Sequence, residues 1–148
     1  MEASFKCLSL VKEFEGLFLK AYPDPIGIWT IGYGTIQYPN GKRVKKGDIC
    51  TNEEAEAYLM HELNIKALSI NPHFTSHPIK QNQFDALLSF AYNLGTGALN
   101  KSTLLKKVKA NPNDPSIRNE FMKWVNAGGK KLNGLVRRRK AEADLYFS

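Results

Sequence analysis

Eight residues separate Glu15 from Asp24, and five more separate Asp24 from Thr30. Two carboxyl groups and a hydroxyl at short range suit the hydrolysis of a glycosidic bond. One carboxyl must hold a proton near neutral pH and give it to the leaving oxygen, while the other stays ionised and works on water. A carboxyl among apolar neighbours keeps its proton more readily than a solvated one. At about 100° per residue from Phe5, Cys7, Leu8, Leu10, Val11 and Phe14 fill one arc of a helix over residues 4–15, and Glu15 falls inside it. Glu13 falls on the polar side. Gly16 directly after Glu15 is expected to end the helix and leave that carboxyl at an edge beside a cleft.

Asp24 lies in Tyr22-Pro23-Asp24-Pro25. Pro25 keeps Asp24 out of helical backbone and Pro23 fixes its own φ, so this carboxylate rides on a stiff turn, useful for orienting a water. Gly27 to Gly34 alternates as a strand, with Trp29, Ile31 and Tyr33 on one face. Thr30 is expected to point the other way, beside glycines that leave room for a ligand. Each residue also fits a plainer reading: a last-turn surface Glu, a turn Asp, a strand Thr.

The elements that must position these residues form an α+β pattern. Prolines and glycines at 23, 25, 27, 32, 34, 39 and 41 exclude a long helix over residues 17–46. Asn40-Gly41 marks a hairpin with a type I′ turn. Thr51 and Glu54 make a capping box for a helix carrying Ala55, Tyr58, Leu59, Leu63 and Ala67 inward, which Pro72 and Pro78 end. Gln81 to Asn93 repeats apolar residues at helical spacing, and Gly95 and Gly97 stop it. Ser102 caps a short helix, Asn113 or Asp114 starts another, Gly128-Gly129 is a break, and a last helix runs from about Gly134 to Leu145. The expected architecture is one domain over residues 1–148. A small sheet lobe spans about 17–46, a larger helical lobe spans 51–148 plus the first helix, and a cleft lies between them.

The composition is that of a folded globular chain, 43% hydrophobic and 24% charged. Residues 1–100 hold 9 Lys/Arg against 10 Asp/Glu, whereas residues 101–148 hold 12 against 4. The excess therefore belongs to one lobe and favours an anionic partner. No nucleic-acid motif accompanies it, and the acidic residues of the first two thirds argue against a long basic groove. No secretory signal and no apolar run of membrane-spanning length is present. Cys7 and Cys50 read as reduced, partly buried thiols. His61, His73 and His77 show no metal-ligand spacing, and neither a phosphate loop nor a Ser-His-Asp set is found, so no metal or cofactor is expected.

Glu15, Asp24 and Thr30 are embedded in Glu-Gly-Leu-x-Leu-x-x-Tyr and Thr-Ile-Gly-x-Gly, and this resembles the phage-type lysozyme (endolysin) family. The likeness continues through Thr51-x-x-Glu-Ala, Gln83-Phe84-Asp85-Ala86-Leu87, Asn93-Leu94-Gly95, Ser102-Thr103-Leu104, Trp124 and Gly134-Leu135-Val136-Arg137-Arg138-Arg139. It implies a lysozyme-like fold and a monomeric muramidase hydrolysing the bond between N-acetylmuramic acid and N-acetylglucosamine in peptidoglycan, lysing the host cell. It also implies Glu15 as general acid and Asp24 with Thr30 as the groups that position the attacking water. Many relatives carry His where this chain has Thr35, which puts the local stability of the sheet lobe in question. The resemblance further implies residence in the host cytoplasm, without stable membrane insertion, until another protein opens a route to the wall.

Two rivals remain: a lytic transglycosylase, which needs the acid but no water-activating carboxylate, and a non-catalytic wall-binding module. The arginine run carries its own expectation. Arg139 falls inside the apolar arc of the last helix and needs an acidic or carbonyl partner. It is expected to point inward and reach toward Glu15, with Glu142 as the other available carboxylate. Arg138 lies nearer the arc's edge, within i,i+4 reach of Glu142. Arg137 is expected in solvent.

Overall fold

A computed structural model describes residues 1–148. Helix α1 (Phe5–Phe14) begins at Ser4, whose side chain accepts the Lys6 N–H at 3.2 Å. The Ser4 N–H and hydroxyl both bond to the buried Asp85 carboxylate, so the start of α1 is tied to another helix. Cys7, Leu8, Leu10 and Val11 form the inward face, as the periodicity requires. The helix ends one residue earlier than Gly16 implies. Glu15 is itself the C-cap, with extended backbone at φ −95° and ψ 134°, and its N–H closes on the Val11 carbonyl at 2.9 Å.

Strands β1 (Phe18–Pro23) and β2 (Trp29–Gly32) pair antiparallel, with Tyr22 opposite Thr30 and Pro23 opposite Trp29. A bridge between Lys20 and Ile49 adds the following loop to the outer edge of β1. The expected hairpin is present as a bridge between Gln37 and Arg43, but its turn is not type I′. Only Gly41 has positive φ, at 88°, and its N–H bonds the Tyr38 carbonyl at 2.9 Å. Pro39 fixes a negative φ at the first central position, so this is a tight turn closed by a left-handed glycine.

Helix α2 (Asn52–Ile70) opens on the Thr51–Glu54 capping box and passes into a 3₁₀ turn at Asn71–Phe74. Helix α3 (Gln81–Leu94) is buried along most of its length. It stops at Gly95, φ 97°, as expected, and α4 (Thr96–Lys101), which the sequence reading did not include, follows at once. Ser102 caps α5 (Thr103–Ala110) through the Leu105 N–H. Helix α6 (Ile117–Phe121) starts later than Asn113 or Asp114, because Asp114 folds its carboxylate onto the N–H and hydroxyl of Ser116 as a turn. Gly128-Gly129 turns a small hairpin of β3 (Asn126–Ala127) and β4 (Lys130–Lys131). Helix α7 (Asn133–Tyr146) closes the chain and packs on α3, α6 and α1.

One contiguous core joins Ile31, Tyr33 and Val44 of the sheet lobe to Leu59, Leu63, Phe84, Leu87, Phe90 and Phe121 of the helices. The result is the expected α+β arrangement of a sheet lobe against a larger helical lobe. Cys7 and Cys50 are both buried free thiols, and the Cys7 thiol donates to the Asp85 carbonyl at 3.5 Å.

Candidate active site

Glu15 leaves α1 at the point where the chain crosses from helix to sheet, and its side chain is 28% exposed. Its Oε1 accepts from Arg138 Nη1 at 3.0 Å, an ion pair across 123 residues of sequence. No hydrogen bond engages Oε2, and Glu15 is among the residues lining a cavity of about 390 Å³, together with Glu13, Phe14, Asn93, Leu135, Arg137 and Arg138. The carboxyl thus has one oxygen held and one free.

The partner of Glu15 is Arg138, not Arg139. Both guanidinium groups point inward, with Arg138 3% and Arg139 0% exposed, while Arg137 is in solvent. A helical angle fixes direction about the axis of α7 but not which neighbour lies there. The side carrying Arg138 faces α1, where the guanidinium lies 5.9 Å over the Phe14 ring. The side carrying Arg139 faces α3 and the segment after α6. There it stacks 5.2 Å from the Phe90 ring and donates to Asn93 Oδ1 at 2.8 Å and the Trp124 carbonyl at 3.5 Å. Both arginines converge on the fully buried Glu142: Arg139 Nε lies 2.7 Å from Oε1 and Arg138 Nε 3.4 Å from Oε2. Ser89 donates to the same carboxylate at 2.5 Å. Burial pushes the Glu142 carboxyl above its ordinary range, against the opposing pull of Arg139, Ser89 and Arg138.

Asp24 is held by its own loop. Oδ1 accepts the N–H groups of Ile26 at 3.0 Å and Ile28 at 2.8 Å, leaving Oδ2 unengaged. Thr30 donates its hydroxyl to the Ile28 carbonyl at 3.0 Å, an oxygen that also receives the Asp24 N–H at 2.9 Å. The structure therefore brings Asp24 and Thr30 together through the two peptide groups of Ile28. With its proton spent on that carbonyl, Thr30 Oγ1 presents lone pairs, not a donor. Neither residue lines the cavity against Glu15, and no hydrogen bond joins them to it. Of the glycines beside Thr30, Gly32 makes room for α2, since a Cβ there would stand 3.2 Å from that of Ala55, whereas one at Gly34 would meet the Tyr92 hydroxyl only at an ordinary 3.9 Å.

Residues 12–142 match the family model for phage lysozyme. The chain belongs to that family.

It is 42% identical to an endolysin of Acyrthosiphon pisum secondary endosymbiont phage 1, over all of this chain and 99% of that one. A Bacillus phage B103 endolysin is 39% identical over the whole chain, which spans 55% of that protein's length. Among solved structures, the endolysin from Escherichia coli O157:H7 phage FAHEc1 superposes with a TM-score of 0.87 at 42% identity, over all of this chain and 94% of that one. The fold is lysozyme-like.

Sequence reasoning overlooked Glu62 and Tyr92. Glu62 stands on α2 with its Oε2 accepting the Tyr92 hydroxyl at 3.1 Å, and its charge interacts with that of Glu15. The signal was available: on α2, Glu62 falls about 20° from Ala55, inside the arc of the inward residues.

Proposed function

We propose that this phage lysozyme relative is a muramidase that cleaves peptidoglycan strands between N-acetylmuramic acid and N-acetylglucosamine by direct attack of water. The observation that carries the reading is the complementary engagement of the two carboxyl groups. Glu15 keeps Oε1 on Arg138 and leaves Oε2 to carry a proton. Asp24 keeps Oδ1 on two backbone N–H groups and leaves Oδ2 to receive one. In the reaction, the Glu15 proton passes to the glycosidic oxygen as the bond to the anomeric carbon breaks. A water oriented by Asp24 Oδ2 and Thr30 Oγ1 adds to that carbon and gives its proton to Asp24. Because water attacks rather than the carboxylate, the anomeric configuration inverts.

This reading takes residues 1–148 as one catalytic domain acting as a monomer, without metal or cofactor, on wall polymer. No helix is long and apolar enough to cross a membrane. Release from the host cytoplasm would rest on another protein. Loss of turbidity of purified cell walls tests the assignment. Glu15→Gln deletes a proton donor and almost no volume, so the rate should fall ~10²–10⁴-fold with the melting temperature retained. Asp24→Asn should be similarly severe. Glu15→Gln activity above about a tenth of wild type contradicts the role given to Glu15.

A further inference from the structure

The guanidinium that meets Glu15 is itself held by residues of α3 and α7. Arg138 has a long side chain with five N–H donors, and its plane is fixed only as far as those donors find acceptors. Its Nε donates to Glu142 Oε2 at 3.4 Å, and its Nη2 reaches the Ser89 carbonyl at 3.3 Å and the Ser89 hydroxyl at 3.4 Å. Only Nη1 turns to Glu15, meeting Oε1 at 3.0 Å. The Ser89 hydroxyl has one proton, which goes to Glu142 Oε2 at 2.5 Å, so its lone pairs stay available to Arg138. The directions agree: Ser89 donates to Glu142 and accepts from Arg138, while the Glu142 carboxylate accepts from both. Glu142 also occupies the second arginine. Arg139 Nη2 donates to the same Oε2 at 3.2 Å and to Asn93 Oδ1 at 2.8 Å, and no hydrogen bond joins it to Glu15. Ser89 and Glu142 are fully buried, and the chemistry given to Glu15, Asp24 and Thr30 makes no use of them.

We propose that Ser89 and Glu142 are positioning residues for the glycosidase reaction, acting on Glu15 through Arg138. Resting on the reading of Glu15 as the proton donor, this role follows from how the acid is held. A carboxyl that delivers a proton to one glycosidic oxygen must stand in one place, and a misplacement of about 1 Å can cost ~10²-fold in rate. Glu15 is the first residue past α1, with extended backbone, and its side chain is only partly covered. Arg138 is the residue that hydrogen-bonds its carboxyl, so the guanidinium sets where that carboxyl points. Ser89 on α3 and Glu142 on α7 set in turn where the guanidinium points. Removing the Ser89 hydroxyl takes an acceptor from Arg138 Nη2 and a donor from Glu142 in one step. The guanidinium keeps its charge near Glu15 but is free to turn, and the acid is no longer fixed.

A role through Arg138 and a role in packing α3 on α7 give different results in a double-mutant cycle. Initial rates of reducing-end release from purified peptidoglycan are measured for Ser89→Ala, Arg138→Lys and the double variant, with Glu15→Gln as blank and a melting curve for each. Ser89→Ala should lower kcat about three- to tenfold while KM stays within about twofold, because it misplaces the acid and not the sugar. In the Arg138→Lys background the Nε and Nη2 donors are already gone, so Ser89→Ala should lower kcat by no more than about 1.5-fold further. Glu142→Gln should also lower kcat, with a larger drop in melting temperature because two arginines lose their shared anion. Exchange of the Arg138 Nε–H with solvent, followed by NMR on 15N-labelled protein, gives a reading independent of activity. Ser89→Ala should speed that exchange at least about tenfold and leave the backbone amides of α7 within about twofold of wild type. Where Arg138→Lys turns over too slowly to measure, or Glu142→Gln does not fold, the exchange in Ser89→Ala decides. Wild-type kcat in folded Ser89→Ala, an equal loss in both backgrounds, or an unchanged Nε–H exchange overturns the proposal. So does exchange of the α7 amides that rises in step with the Nε–H, which marks a loosened helix. Turnover by Glu15→Gln at the wild-type rate overturns the role of Glu15 itself, and the positioning role falls with it even where the exchange changes as expected.

Discussion

At the scale of single residues, the arginine run separates three environments within one helical turn. Arg137 is in solvent, Arg138 holds the free-standing Glu15, and Arg139 is sealed against Phe90 and Glu142. Arg139→Ala would leave Glu142 buried with one guanidinium fewer. Removing one partner of a buried pair costs about 3–5 kcal/mol. Arg137→Ala should change stability by less than about 0.5 kcal/mol, since it touches no such feature. Urea unfolding of the two variants checks the contrast, and equal destabilisation would contradict it. The inward direction of Arg139 was legible from the helical wheel. Its partner was not, because a wheel angle carries no information about which helix packs on that side. The same limit applies to Thr30: alternation along a strand carries no information about the acceptor its hydroxyl finds, which is the Ile28 carbonyl.

At the scale of elements, the approach of β2 to α2 depends on the missing side chain of Gly32. An alanine there meets both a φ of 65° and the Ala55 Cβ at 3.2 Å, whereas one at Gly27, φ 89°, meets open space. Both substitutions pay the left-handed backbone cost of roughly 1–2 kcal/mol. Gly32→Ala should be the more destabilising and should also slow wall lysis by shifting the Thr30 strand, and thermal melts with turbidity assays compare them. Equal effects would mean that β2 does not rest on α2 as described. Elements defined by local chemistry were readable in advance: the Thr51–Glu54 capping box, the Ser102 cap and the face of α1 all stand where their residue types put them. Elements decided by competition were not. Gly95 ends α3 yet permits α4 immediately after, and Asp114 prefers its own turn on Ser116 to capping a helix.

At the scale of the molecule, the first and last helices meet at the ion pair of Glu15 with Arg138, so the candidate acid is assembled only when the whole chain has folded. The excess of basic residues in the C-terminal third belongs to the helical lobe, where Lys130, Lys131, Arg137 and Lys140 are exposed. Any contribution of these exposed charges to binding an anionic polymer should fade with salt. The two-lobed plan was readable from the order of turn-rich and helical segments. The contact of Glu62 with Tyr92 was harder to foresee, because the two come from different helices and neither belongs to a motif of its own.

The central claim is hydrolysis by water at a muramic acid linkage, with Glu15 as the proton donor. Mass spectrometry of the fragments released from purified peptidoglycan tests it most directly. The account predicts reducing muramic acid ends from the wild type and no fragments above background from Glu15→Gln. Anhydro ends, or the same fragments from Glu15→Gln at comparable yield, would contradict it.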